Sequence, residues 1–297
     1  IVRYADVAPQ LRSRTHTVQD AALGARRFVL GLGKKVLLAN VLYELVTVYQ
    51  QSGQKTVLLT WLYAAAYMLH VYFDFSGYSD MAIGLGRIMG FRFAENFRYP
   101  FVSGSLTEFW RRWHISLGSW FRDYVYIPLG GSRVGKARWV RNLVIVWGLT
   151  GLWHGSTLNF LLWGLLLFAL IALERAGWGR VLARSRVISR VYMVLMIPLS
   201  WLLFAIPSVS RIGVYLGRLF PLVSRGIAVN AGDWLQYGKQ YWWLLVLGIV
   251  FSTPGPEKLW NRIRGTWLGT VILAVLFWAC VYCMSVATND PFMYFSF

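Results

Sequence analysis

Four long stretches of this chain contain no charged residue, and they constrain its fold more than any other feature. They cover residues 56–73, 191–210, 266–289 and 142–173, which are 18, 20, 24 and 32 residues long. A helix needs about 20 apolar residues to cross the hydrocarbon core of a bilayer. Only 14% of all residues are charged and 57% are hydrophobic, whereas soluble domains carry about 25% charged residues. The sequence therefore predicts an all-α, polytopic membrane protein.

The chain is strongly basic, with 30 Lys and Arg against 12 Asp and Glu and a net charge of +18. Such an excess would suit nucleic acid if the chain were soluble. Here the basic residues gather in short connections between apolar segments, which is typical of the cytoplasmic loops of membrane proteins. We therefore expect no nucleic-acid partner, and a single membrane domain over residues 1–297, because no linker divides the chain.

The two cysteines give little evidence of a metal-binding or redox site. Cys280 and Cys283 form a C-x-x-C pattern inside an apolar stretch, but a metal or redox site would need a second pair of ligands or an exposed thiol. We expect no metal site and treat both cysteines as small packed residues.

The segment 142–173 is the wrong length for a simple crossing. As one helix it would be about 48 Å long, against a hydrocarbon core of about 30 Å, and two crossings would need about 40 residues. Three glycines lie between 148 and 155, and Ser156 or Thr157 is suited to cap a second helix. Basic clusters flank both sides of the segment. These features predict a hairpin or broken helix with both ends on one side of the membrane.

His154 lies at the predicted break. Ionisable residues at membrane depth are costly and usually functional. An imidazole that titrates near neutral pH can take a proton from a hydroxyl during acyl transfer. The alternative is a packed histidine that donates one hydrogen bond to a backbone carbonyl.

A second polar group follows Ser105. Glu108 lies three residues after Ser105, which is capping-box spacing and predicts a helix that begins at Leu106. On that helix Glu108 can pair with Arg111 or Arg112, at i+3 and i+4.

The same helix would place Trp110 and His114 on one face. With its charged residues it should line an aqueous vestibule or the membrane interface. The alternative is an interfacial anchor, with Trp110, Trp113 and Trp120 in an aromatic belt.

Two aspartates lie upstream of this helix, at Asp74 and Asp80. Six residues on a helix place them on different faces, so structural pairing is favoured over shared acid/base chemistry. We expect Arg87, Arg92 or Arg98 as their partners.

Three segments carry a family resemblance: YFDFSGYSDMAIGLGRIMGFRFAENFRYPF, SLTEFWRRWHISLGSWFRDYVYIPLGG and LTGLWHG. They resemble the bacterial branch of the membrane-bound O-acyltransferase family, most closely its alginate O-acetyltransferase-type members. The resemblance extends from IVRY at the start to NDPFMYFSF at the end, where relatives more often have Asn-Pro and Arg. It implies a many-helix bundle with a central funnel or tunnel and re-entrant or broken helices. Because family members are longer at the N-terminus, we expect this chain to lack N-terminal transmembrane helices.

The resemblance also assigns site residues. It places the catalytic histidine at His154 and matches His114 to the family's second characteristic histidine, whose part in the chemistry is less certain. We expect the substrate or tunnel to be lined by Trp153, Asn159, Glu108, Arg111, Arg112 and Trp113, with Asn159 or Arg111 as candidate oxyanion donors.

The implied reaction is O-acetylation of an exported polysaccharide such as alginate. The implied donor is acetyl-CoA or another acyl thioester, with no bound cofactor, and the acceptor side would involve a periplasmic or extracellular partner with its own serine nucleophile. The implied location is the bacterial cytoplasmic (inner) membrane. Acetylation of peptidoglycan or cellulose and D-alanylation of teichoic acid stay open, as does a non-enzymatic role as a transporter or scaffold subunit of an export complex.

Overall fold

The computed structural model describes residues 1–52, 55–220 and 233–287, with only the backbone described at 233–235. The final segment NDPFMYFSF lies outside these residues. Fourteen α-helices, and no strand, occupy the described parts, which confirms the all-α prediction. They are α1 Tyr4–Arg12, α2 Val18–Gly33, α3 Asn40–Gln51, α4 Val57–Ile88, α5 Leu106–Arg112, α6 Ile115–Phe121, α7 Lys136–His154, α8 Leu158–Leu173, α9 Gly179–Arg184, α10 Arg186–Ala205, α11 Val209–Leu219, α12 Asp233–Phe251, α13 Gly255–Ile263 and α14 Trp267–Val286.

Three helical segments of the described residues are long and apolar enough to cross a membrane. They are Leu158–Arg184, Arg186–Ala205 and Trp267–Val286. The first joins α8 to α9 through a wider π-helical turn at Glu174–Trp178. A similar turn at Lys34–Ala39 makes α2 and α3 nearly continuous.

Helices α2 and α4 form an antiparallel pair whose backbones touch. A Cβ atom on Gly31 would lie 2.6 Å from the carbonyl oxygen of Gly77, and one on Gly24 would lie 2.5 Å from that of Gly84. Only glycine allows this approach, because any side chain would force the helices apart. The pair forms the base against which α3, α10 and α14 pack, with Cys280 of α14 buried in a small cluster on α2.

Ion pairs run along the same contact. Asp80 Oδ1 and Oδ2 accept from Arg27 at 2.7 Å and from Lys34 at 2.6 Å, and Lys35 pairs with Asp74 at 2.9 Å. The expectation that Arg87, Arg92 or Arg98 would be the partners was wrong, because α2 and the π-helical turn that follows it bring Arg27, Lys34 and Lys35 across the glycine contact.

Helices α7 and α8 form the predicted hairpin. The helical conformation is interrupted at 155–157. The two helices are in close contact, since a Cβ atom on Gly164 would lie 2.2 Å from the carbonyl oxygen of Trp147. At the open end of the hairpin, the guanidinium of Arg175 lies 4.5 Å above the ring of Trp139. The two ends of the hairpin are therefore neighbours, and His154 lies at its tip.

Candidate active site

A cavity of about 480 Å³ lies beside the α7–α8 hairpin, and both His154 and His114 line it. The rest of its wall comes from α5, α6, the turn after α6, and one face of the hairpin. These lining residues are Thr107, Trp110, Arg111, Trp113, Ile115, Leu117, Gly118, Ser119, Phe121, Arg122, Tyr126, Leu143, Val146, Trp147, Thr150, Trp163 and Ile171. The fold thus brings together two histidines that are 40 residues apart in the sequence.

His154 is the last residue of α7 and is held by aromatic rings. Its ring centroid lies 4.9 Å from Trp153, 5.1 Å from Trp163 and 5.2 Å from Phe204. Among the described residues, no protein atom makes a hydrogen bond to its imidazole. The packed histidine bonded to a backbone carbonyl is therefore absent from this structure, and both ring nitrogens are left for other partners.

The position of His154 at a helix C-terminus has an electrostatic effect. The last carbonyl groups of a helix carry partial negative charge and stabilise a nearby cation by about 0.3–1 kcal/mol. This effect offsets only part of the cost that burial among the aromatic rings imposes on the charged imidazole.

One face of α7 forms the long wall of the cavity. Leu143, Val146, Trp147, Thr150 and His154 recur at helical spacing, and all five line it. At 1.5 Å per residue this face is about 16 Å long. Trp147 and Thr150 were missed from the sequence, although counting back from His154 by turns of the helix would have found them.

The other histidine lies between α5 and α6, and α5 is anchored to the hairpin. As predicted, Ser105 Oγ accepts a hydrogen bond from the Glu108 backbone N–H at 3.1 Å, so the helix begins at Leu106. The buried carboxylate of Glu174, the first residue after α8, accepts the backbone N–H groups of Leu106 at 2.7 Å and Thr107 at 3.0 Å. Glu174 was missed, because nothing near it in the sequence indicates this contact.

His114 lies beyond the end of α5, in the left-handed region with φ 45° and ψ 54°. The prediction that it shares a helical face with Trp110 was wrong, since the helix ends at Arg112. Its Nδ1 lies 3.2 Å from Asn96 Oδ1, and its Nε2 is buried with no hydrogen-bond partner among the described residues. Burial lowers the pKa of His114 to about 3, so the imidazole is neutral at neutral pH.

The other predicted residues of α5 divide into two groups. Arg111 and Trp113 line the cavity. Arg111 is exposed and has no ion-pair partner among the described residues. Glu108 and Arg112 do not line it but pair with each other at 2.7 Å, and Glu108 also accepts the Gly104 backbone N–H at 2.9 Å.

Trp153 and Asn159 also lie outside the cavity wall. The ring of Trp153 contacts both histidines, at 6.1 Å from His114 and 4.9 Å from His154, and is 45% exposed. Asn159 is fully buried, and its amide donates to the backbone carbonyl of Phe204 at 3.0 Å. This bond ties the start of α8 to the end of α10.

Tryptophans form the inner wall instead. Trp110 lies 5.4 Å from Trp147 and 5.5 Å from Trp163, both edge to face. Trp113 is only 4% exposed and packs 5.0 Å from Trp201. The aromatic-belt alternative is wrong for Trp110 and Trp113, because both face the protein interior.

Comparison with known proteins gives a consistent result. The model of the membrane-bound O-acyltransferase family matches residues 1–215. A probable alginate O-acetylase AlgI of Pseudomonas aeruginosa is 46% identical over 69% of this chain and 39% of its own length. A protein of the same name from Pseudomonas putida is 34% identical over 100% of this chain and 65% of its own length. A peptidoglycan O-acetyltransferase of Helicobacter pylori is 36% identical over 59% of this chain and 34% of its own length.

The chain spans less than two thirds of the length of these relatives. Both histidines and the whole cavity wall lie inside the matched residues 1–215.

Proposed function

The chain belongs to the membrane-bound O-acyltransferase family, and we propose that it acts as an O-acetyltransferase that modifies an exported polysaccharide, with alginate as the first candidate. The observation that carries this proposal is the shared cavity. His154 and His114 come from separate segments and meet at one end of a wall built from aromatic side chains. Two relatives with the name alginate O-acetylase favour alginate as the acceptor.

We assign the role of general base to His154. It takes the proton from the attacking hydroxyl while that oxygen forms a bond to the carbonyl carbon of the thioester. The tetrahedral intermediate then collapses, the C–S bond breaks, and the sulfur leaves as a thiol after taking the proton from the imidazolium. The products are an acetyl ester and the free thiol.

The surroundings of His154 suit this role. No hydrogen bond to a described residue occupies either ring nitrogen, and the aromatic neighbours keep water from the reacting thioester. The helix C-terminus stabilises the imidazolium that forms during attack.

The donor and the location belong to the same proposal. The donor is an acyl thioester such as acetyl-CoA, which reaches the cavity from the end of the hairpin where basic residues gather. Arg111, exposed and without an ion-pair partner among the described residues, is placed to meet an anionic donor. The chain works as one domain of a multi-pass protein in the bacterial cytoplasmic membrane, and a periplasmic or extracellular serine acetyltransferase receives the acetyl group.

The test uses the full protein in lipid nanodiscs with radiolabelled acetyl-CoA, or with an acetylated carrier protein as a second donor. Oligomannuronate is supplied as acceptor, with and without a serine-type partner. We expect His154→Ala to reduce transfer of label by about 10² to 10⁴-fold, which is the usual contribution of a general base.

The matched control is His16→Ala. His16 is an exposed histidine outside the cavity wall, so its removal should leave transfer unchanged. Full transfer by a folded His154→Ala protein would remove His154 from the chemistry. Absence of transfer to any acceptor by the wild-type protein would support the transporter or scaffold alternative.

Peptidoglycan is the second candidate acceptor, because a relative with the name peptidoglycan O-acetyltransferase matches 59% of the chain. The same assay with muropeptides or cello-oligosaccharides in place of oligomannuronate, or with teichoic acid and a labelled D-alanyl thioester as donor, discriminates these alternatives. The acceptor with the highest kcat/KM identifies the polymer.

A further inference from the structure

Asn96 connects three groups around His114. Its side-chain oxygen Oδ1 lies 3.2 Å from His114 Nδ1, 3.1 Å from the Ser116 backbone nitrogen and 3.0 Å from Ser116 Oγ. Its backbone oxygen accepts the Ile115 backbone N–H at 3.0 Å. One residue thus holds the short turn in which His114 takes its left-handed conformation.

The Ser116 contact identifies the atom that Asn96 presents. A backbone N–H can only donate, so the amide atom that faces it is the oxygen and not the nitrogen. This oxygen has only lone pairs to offer to His114. A bare Nδ1 at 3.2 Å would set one lone pair against another, whereas a protonated Nδ1 makes a hydrogen bond.

Ser116 offers a competing arrangement. Its hydroxyl lies 3.4 Å from His114 Nδ1 and could donate to a bare nitrogen there. The hydroxyl is closer to Asn96 Oδ1, at 3.0 Å. That arrangement would also leave the repulsive contact between Nδ1 and Oδ1 in place. The geometry favours the proton on Nδ1.

We propose that Asn96 is a positioning residue that holds His114 in the Nδ1–H tautomer and thereby makes Nε2 a hydrogen-bond acceptor. Nε2 is the atom that has no partner among the described residues. His114 therefore cannot act as an oxyanion donor through Nε2. It serves as a neutral acceptor for a neighbouring hydroxyl of the acceptor, once the side chains that cover Nε2 shift, while the attacking hydroxyl gives its single proton to His154. The function of His114 in this scheme rests on the proposed acetyl transfer, but its tautomer does not.

The tautomer can be measured directly by ¹⁵N NMR of protein labelled at histidine. The chain has only four histidines, and a His114→Gln variant identifies the signals of His114. We expect a protonated Nδ1 and an unprotonated Nε2. A protonated Nε2 in the wild-type protein would overturn the proposal.

Variants of Asn96 test the cause. Asn96→Leu keeps a similar volume and removes the acceptor, so the two tautomers of His114 should become mixed. Ser116→Ala is the matched control, because it removes a hydroxyl from the same cluster and should leave the tautomer unchanged. If Asn96→Leu fails to fold, Asn96→Asp keeps the acceptor and should retain the Nδ1–H form. Loss of that form in Asn96→Asp, or its full retention in a folded Asn96→Leu, contradicts the proposal.

Asn96→Asp also has a pH readout that a merely structural role would not give. A carboxylate beside Nδ1–H should raise the pKa of His114 above its value of about 3 in the wild-type protein. The other titratable side chain that acts on His114 is His154, and it is not changed. An unshifted titration of His114 would mean that Asn96 does not contact it in solution.

Acetyl transfer provides the last measurement. Asn96→Leu should lower kcat by roughly 10 to 100-fold, as is found for residues that orient metal-bound histidines, with KM for the donor unchanged. An unchanged kcat overturns the positioning role. If the wild-type protein transfers no acetyl group, the proposed function fails while the NMR result still decides the tautomer.

Discussion

The two histidines of the cavity share a residue type but not an environment. His154 is surrounded by rings and makes no hydrogen bond to a described residue, whereas His114 is held by Asn96 from a segment 18 positions earlier. The cost of an ionisable group in an apolar stretch was enough to single out His154 from the sequence. The conformation of His114 could not be predicted from the sequence, because it depends on its contact with Asn96, which no local sequence pattern indicates.

A buried ion pair elsewhere in the chain also depends on its individual residues. Lys35 and Asp74 have side chains that are 5% and 3% exposed and lie 2.9 Å apart. We expect Asp74→Ala to lower the free energy of unfolding by about 3–5 kcal/mol, because it leaves the charge of Lys35 buried without its carboxylate. Denaturant titration of the purified protein in detergent measures the change.

Removing both charges should be far less damaging. The double variant Lys35→Met with Asp74→Leu should recover most of the stability, since a well-packed apolar pair can replace a buried ion pair. Asp6→Ala is the control, as Asp6 forms an exposed pair with Arg3 at 3.6 Å that should contribute at most about 1 kcal/mol. Equal stability of Asp74→Ala and wild type would show that the pair is already solvated or uncharged.

At the scale of elements, local patterns were predicted well and contacts between helices were not. Ser105 and Glu108 correctly predicted the start of α5, and the glycines after position 148 correctly predicted the break between α7 and α8. Both sequence patterns lie within a few residues of the helix start or helix break that they predict. The α2–α4 pair was missed, because Gly31 and Gly77 are 46 positions apart and match only when the helices lie antiparallel.

Two glycines make the same kind of contact in the hairpin, Gly151 and Gly164. Gly164 of α8 faces the backbone of Trp147, and a Cβ atom there would lie 2.2 Å from the carbonyl oxygen. We expect Gly164→Ala to destabilise the protein by about 1–3 kcal/mol, because the two helices must move apart. Thermal unfolding in detergent, together with acetyl transfer, reports the effect.

Gly148 offers a matched control on the partner helix. A Cβ atom at Gly148 would have no neighbour within 4 Å, so Gly148→Ala should be neutral or slightly stabilising, as expected for alanine within a helix. If both variants behave alike, the close contact between α7 and α8 does not limit stability.

At the scale of the whole molecule, the hairpin gives the cavity two unlike ends. Helix α7 begins among basic residues at 133–141 and ends at His154, the last of its 19 residues. Arg175 joins the same basic end from α8. Under the proposed function, with basic loops on the cytoplasmic side, a charged donor would enter at that end and the acetyl group would leave near the histidines.

This arrangement predicts which positions share a side of the membrane. Single cysteines at Arg141 and Arg175, in a background with Cys280 and Cys283 replaced by alanine, should react with an impermeant thiol reagent only from the cytoplasmic side of oriented vesicles. A cysteine at Ser156 should not react from that side. Helix α7 ends at His154, 13 residues beyond Arg141, or about 20 Å along the helix, which carries the adjoining Ser156 most of the way through a core of about 30 Å. Labelling of positions 141 and 175 from opposite sides would exclude the hairpin topology, and with it a cavity whose basic end faces the cytoplasm.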